Sequence, residues 1–156
     1  MIEAETYAMQ GAMLPFQQVD VPFDDFHSHP DLISWFENQR LLVVSTATLM
    51  GAVHFRSEEY AGEPPLLFEG WEQMQEVSTI FDSADVRLLD LEQTADFPEV
   101  SLISSPGRYR VRLYAAGREL ENDDQELGEN LTERYFMQLW REAESRPSTP
   151  IVEIQK

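Results

Sequence analysis

Hydrophobic and polar positions alternate most cleanly over Gly107–Glu119, GRYRVRLYAAGRE. In an extended chain Tyr109, Val111, Leu113 and Ala115 fall on one side, and Arg110, Arg112 and Tyr114 on the other. Pro106-Gly107 opens the run with a turn signal, and Gly117 lets it stop. A second alternating, aromatic-rich run, ERYFMQLWR, occupies Glu133–Arg141. The two runs predict a pair of long strands at the centre of an antiparallel β-protein.

Other segments extend the same pattern. Arg40–Thr48, RLLVVSTAT, is apolar and β-branched at its middle and predicts a strand. Ala52–Ser57 follows Gly51, so these two strands are predicted to form a hairpin. Glu58–Gly70 carries Gly62, Pro64, Pro65 and Gly70 and reads as a loop. Strands are predicted from about Met74 to Phe81, over Asp85–Leu91 after the turn at Asp82-Ser83, and at Ile151–Ile154 as a final edge. Val100–Ile103 is a short apolar approach to Pro106-Gly107. The first 39 residues are less regular. Tyr7–Leu14 suits a strand or a short helix equally, and Phe16–Phe26 reads as an edge strand and turn. Pro30–Asn38 reads as one or two helical turns, with Leu32, Trp35 and Phe36 on one side. About six to eight short strands at roughly ten-residue spacing predict an all-β fold. The expected architecture is an antiparallel β-sandwich, jelly-roll or C2-like, with at most short helical turns. With 156 residues the chain is expected to be a single domain, 1–156, whose core lies in 40–143.

Charge narrows the class of partner. The formal net charge is −18, which disfavours nucleic acid and anionic membrane, both polyanions, and favours a basic protein or a cation. Lys156 is the only lysine, and the remaining basic residues are arginines. Arg56, Arg87, Arg108, Arg110, Arg112, Arg134 and Arg141 fall in or beside predicted strands. They predict a basic stripe on an outward sheet face, with Arg110, Arg112 and Arg118 able to grip a carboxylate or phosphate. The plainer expectation for such a stripe is a row of exposed cross-strand ion pairs, worth about 0–1 kcal/mol each. No cysteine is present, which removes disulfides, thiolate catalysis and Cys-ligated zinc. The N-terminal sequence shows no basic region followed by an apolar run, so a cytoplasmic location is expected.

Two polar clusters invite a chemical reading. His27 and His29 stand among Asp24, Asp25 and Asp31, but His54 is remote in sequence. A polar turn is favoured there over a metal site, and no metal or cofactor is expected. Glu119, Glu121, Asp123, Asp124, Glu126 and Glu129 crowd the connection between the two central strands, where no basic residue occurs between Arg118 and Arg134. Their spacing fits no EF-hand, and the plainer expectation is a solvated loop, ahead of recognition by a basic surface. Trp71, Tyr109, Tyr135 and Trp140 read as core aromatics rather than a ligand stack. No nucleophile elbow or phosphate loop occurs, and an enzyme is not expected.

The runs LLVVSTATLMGAVHFRSEEY, WEQMQEVS, GRYRVRLYAAGRE and ERYFMQLWREA follow one another over about residues 40–143. Their order and spacing resemble a set of uncharacterised small acidic bacterial proteins with a GxYRVRxxAxGR strand and a QLW strand. The resemblance implies a β-sandwich of two sheets. More remotely, the chain is similar to the competence protein J type of DNA-entry nuclease inhibitor, also small, acidic and cysteine-free in character. With the charge, this points to a non-enzymatic interaction or inhibitor module whose acidic connection meets a basic partner such as a nuclease or toxin. The alternative is a cation-binding, C2-like module using the same acidic residues.

Overall fold

The computed structural model describes residues 2–9, 12–16, 31–36, 41–45, 50–84, 86–89, 101–118 and 133–154. Among them the fold is all-β, with strands and no helix. The strands are β1 Ile2–Met9, β2 Ala12–Phe16, β3 Ile33–Phe36, β4 Leu41–Ser45 and β5 Met50–Tyr60. They continue with β6 Gln73–Phe81, β7 Arg87–Leu89, β8 Gly107–Ala116, β9 Arg134–Arg141 and β10 Val152–Glu153. Hydrogen-bonded neighbours run β10-β6-β8-β9-β5-β1-β2-β4-β3, and β7 pairs with β2.

The two central strands pair as their alternation predicts. β8 and β9 are antiparallel, with Leu113 opposite Met137 and Tyr109 opposite Arg141. β6 lies along the other edge of β8, with Val77 opposite Val111. Tyr109, Val111, Leu113 and Ala115 join Val77, Phe81, Tyr135, Met137, Leu139, Val53 and Phe55 in one buried cluster. Each large apolar side chain taken from water there stabilises the fold by roughly 1.5–3 kcal/mol. The expected terminal edge strand is present as β10, paired with the open edge of β6.

Several expectations are corrected. β4 and β5 do not form a hairpin: β2 and β3 occupy the two edges of β4, and β1 and β9 those of β5. The apolar run Leu42-Val43-Val44 accordingly suits a strand with neighbours on both sides, and all three residues are buried. The β5–β9 pair is parallel, with His54 opposite Arg134 and Tyr60 opposite Trp140, so the pairing is not wholly antiparallel. That geometry needs a long crossover, and β6 to β8 lie within it. Residues 33–36 form β3 rather than helix. Both the Leu32 and Ile33 backbone N–H groups donate to the buried Gln75 Oε1, at 2.7 and 3.2 Å. Trp35 meets Phe81 edge-on at 5.7 Å, so β3 is held against the core face of β6 by both polar and aromatic contacts. The Phe16–Phe26 expectation lies outside the described residues beyond Phe16.

Candidate functional site

The second face of β8 was expected to carry exposed arginines, and it does not. Arg110 and Arg112 are each only 2% exposed. The alternation is right, since these side chains do point away from the apolar cluster, but two segments cover that face. Pro64, in the loop after β5, is buried there, and its carbonyl accepts from Arg112 Nη1 at 3.0 Å. The Leu67 N–H donates to Tyr114 Oη at 2.9 Å. Beyond β9, the carbonyls of Arg146 and Pro147 accept from the two terminal nitrogens of Arg110 at 3.2 and 3.1 Å. The loop tip at Leu66, Leu67 and Phe68 stays exposed.

One carboxylate serves both guanidinium groups. Glu76 Oε1 accepts from Arg110 Nε at 3.0 Å, and Oε2 accepts from Arg112 Nε at 2.8 Å. Glu76 lies directly opposite Arg112 in the β6–β8 ladder, and Ser78 opposite Arg110, whose Nη1 reaches the Ser78 hydroxyl at 3.0 Å. Arg112 also donates to Gln138 Oε1 at 3.1 Å and sits 4.8 Å from the Trp140 ring centre. Gln138 in turn donates to Tyr60 Oη, and Tyr60 to Glu58, at 3.2 and 3.1 Å. The network thus runs across β6, β8, β9 and β5. Burial alone would raise the Glu76 carboxyl, but the hydrogen bonds and charges of Arg112 and Arg110 outweigh it and lower the pKa. Neither arginine is open to an outside carboxylate or phosphate. The cross-strand ion pairs expected here exist, but buried, where removing one partner is far more disruptive than at a surface.

The six acidic residues Glu119, Glu121, Asp123, Asp124, Glu126 and Glu129 lie outside the described residues. The feet of their connection are described. Ala116 pairs directly with Arg134, so 117–133 span the end of one antiparallel pair. At one foot Arg118 Nη1 donates to the Ser45 carbonyl at 2.5 Å and to Tyr135 Oη at 2.9 Å. At the other, the fully buried Glu133 accepts from the Tyr135 hydroxyl at 2.5 Å. Beside Arg118 a shallow depression of about 220 Å³ is lined by Glu72, Gln73, Ala115, Ala116 and Glu153.

His27 and His29 also lie outside the described residues. Among the described residues no group of three or more His, Asp or Glu side chains is arranged to hold a metal ion. No helix among them is long and apolar enough to cross a membrane. Tyr109, Tyr135 and Trp140 are buried. Trp71 is half-buried against Tyr114 and Phe136, with the Arg134 guanidinium 5.1 Å from its ring centre. Tyr109 Oη donates to Glu59 Oε2 at 2.9 Å, and burial followed by that carboxylate raises its pKa.

Sequence reasoning missed Glu76. Alternation alone does not give the β6–β8 register, and it is that register which places Glu76 opposite Arg112. Nothing in periodicity marks the covering segments, which are irregular. No protein-family model matches the chain, and no curated protein and no solved structure resembles it at a significant level.

Proposed function

We propose that the chain is a two-layer β-sandwich acting as a non-enzymatic acidic interaction or inhibitor module for a basic protein, of the nuclease or toxin kind, in the cytoplasm. The observation that carries the reading is the Ala116–Arg134 pair. A ladder ending there can be closed by a few residues, whereas the chain uses 117–133 and places Glu119, Glu121, Asp123, Asp124, Glu126 and Glu129 in it. Like charges at that density repel, so a short hairpin would serve the fold better. The Arg118–Tyr135–Glu133 hydrogen bonds fix both feet, which lowers the ordering entropy of recognition. The net charge of −18 would steer a cationic partner. The resemblance of the central strands to small acidic bacterial proteins and, remotely, to nuclease inhibitors belongs to the same reading.

The test is a pull-down from native lysate with the wild-type chain and with the triple variant Asp123→Asn/Asp124→Asn/Glu126→Gln. The expected result is a basic protein captured by the wild type and lost with the variant. Equal capture by both moves recognition off this connection. A rise in melting temperature with millimolar calcium, abolished in the triple variant, would instead favour the cation-binding alternative.

A further inference from the structure

The segment after β9 forms a strap along the edge of β6. Residues 145–154 run along the open edge of β6, and Ser145 to Ser148, Pro150, Val152 and Glu153 are exposed. What holds the strap is largely main-chain recognition. Thr149 N–H donates to the Glu76 carbonyl, and Glu76 N–H donates to Thr149 Oγ1, both at 2.9 Å. Gln75 Nε2 donates to the Thr149 carbonyl at 3.0 Å, and Ile154 N–H to the Glu72 carbonyl at 2.8 Å. Arg110 reads two successive strap carbonyls, those of Arg146 and Pro147. Such an array is an edge that accepts an added strand. The prolines at 147 and 150 lack N–H groups, which limits pairing of a further strand on the outer side of the strap.

The turn that delivers the strap is imperfectly satisfied. Glu142 N–H donates to the Arg108 carbonyl at 3.2 Å, and Glu142 Oε2 accepts from Arg146 Nε at 3.3 Å. The Glu142 side chain is 8% exposed, yet its Oε1 has no hydrogen-bond partner among the described residues. A buried carboxylate oxygen left unmatched disfavours the closed turn. Opening that turn hydrates Glu142, while the strap keeps its contacts to β6 and Arg110 if it settles on an identical edge.

We propose that the β6 edge, with Gln75 and Arg110 behind it, is a strand-acceptor site for the strap of a second copy of the chain, two copies exchanging straps reciprocally. A second copy supplies a strap that fits this edge residue by residue, with the contacts to β6 and Arg110 preserved and those of the Glu142 turn given up. Mutual repulsion of two highly acidic chains keeps the exchange weak at low salt, and added salt favours it.

Gln73 and Glu153 face each other across the strap, with Nε2 and Oε1 2.8 Å apart, and the chain contains no cysteine. The full-length single variants Gln73→Cys and Glu153→Cys are mixed at high concentration, warmed to open the straps, cooled and oxidised. Exchange predicts that the mixed disulfide dimer exceeds the two like-with-like dimers together severalfold, and that Thr149→Ala in the Glu153→Cys chain reduces that excess. Dimers in the proportions of random thiol collision overturn the proposal. So does an absence of dimers when the double variant Gln73→Cys/Glu153→Cys closes its internal disulfide. Sedimentation of the unaltered chain after the same treatment checks the result without any disulfide: a dimer fraction that grows with salt supports exchange, and a monomer throughout contradicts it.

Discussion

Glu76 faces Arg112 across the β6–β8 ladder with Oε2 2.8 Å from Nε, and both side chains are nearly out of water. Its second oxygen holds Arg110 at 3.0 Å. A single carboxylate therefore compensates two buried guanidinium groups. The remaining arginine donors are met largely by carbonyls of the loop after β5 and of the strap. This relationship ties the irregular segments to the sheet and makes the polar face of β8 as consequential as its apolar face.

Glu76→Ala leaves two buried guanidinium groups without their carboxylate and should destabilise by ~3–5 kcal/mol. Arg112→Ala leaves Glu76 paired with Arg110 but strips hydrogen bonds from Glu76 Oε2, the Pro64 carbonyl and Gln138, and should cost ~2–3 kcal/mol. Leu113→Ala, which opens a cavity in the apolar cluster, should cost ~2–5 kcal/mol. Arg56→Ala, whose side chain is 41% exposed in its pair with Glu58, should cost ~1 kcal/mol or less. Urea denaturation of the four variants checks this ranking, and an Arg112→Ala as mild as Arg56→Ala would contradict it.

The same pair sets an acid dependence. Folding lowers the Glu76 pKa from its ordinary 4.5. The unfolded state therefore takes up a proton first as pH falls. The stabilisation is complete above about 4.5 and is lost as pH drops through the lowered folded value. The stability gap between wild type and Glu76→Gln should accordingly be constant near neutrality and close below that value. A gap that widened on acidification would give the wrong sign.

Much of this was legible in the sequence, and the limits are physical. The alternation over 107–116 assigned both faces of β8 correctly, because a period of two is a local property of extended backbone. Burial of Arg110 and Arg112 was not legible, because it depends on carbonyls at Pro64, Arg146 and Pro147, brought there by segments without periodicity. The supposed β4–β5 hairpin failed because proximity in sequence says nothing about edges already taken by β1, β2, β3 and β9. Residues 33–36 carry a pattern short enough to suit one helical turn or one strand, and contact with Gln75 and Phe81 decides for the strand. Of the candidate site, the feet of the acidic connection were placed correctly at the ends of β8 and β9. The acidic residues themselves lie outside the described residues.

Glycine is required at one strand start. Gly107 opens β8 at a φ of 148°, and a Cβ built there would approach Arg141 Nη1 to 2.6 Å. Gly107→Ala should destabilise by ~1–3 kcal/mol. Gly62, with nothing within 4 Å, should tolerate alanine with a change of ~1 kcal/mol or less. Thermal melts of the two variants provide the comparison, and equal losses would show that the Gly107 backbone is not constrained.

The proposed role rests on charge in the β8–β9 connection, and association kinetics test it most directly. With the basic protein captured by the wild-type chain, the association rate is measured over a range of ionic strength for the wild type and for Asp123→Asn/Asp124→Asn/Glu126→Gln. The account predicts a fast wild-type rate at low salt that falls steeply as salt is added. The triple variant should associate more slowly and with a flatter salt dependence, while its thermal stability is kept or slightly raised. The same rate and the same salt slope for both chains would contradict the account.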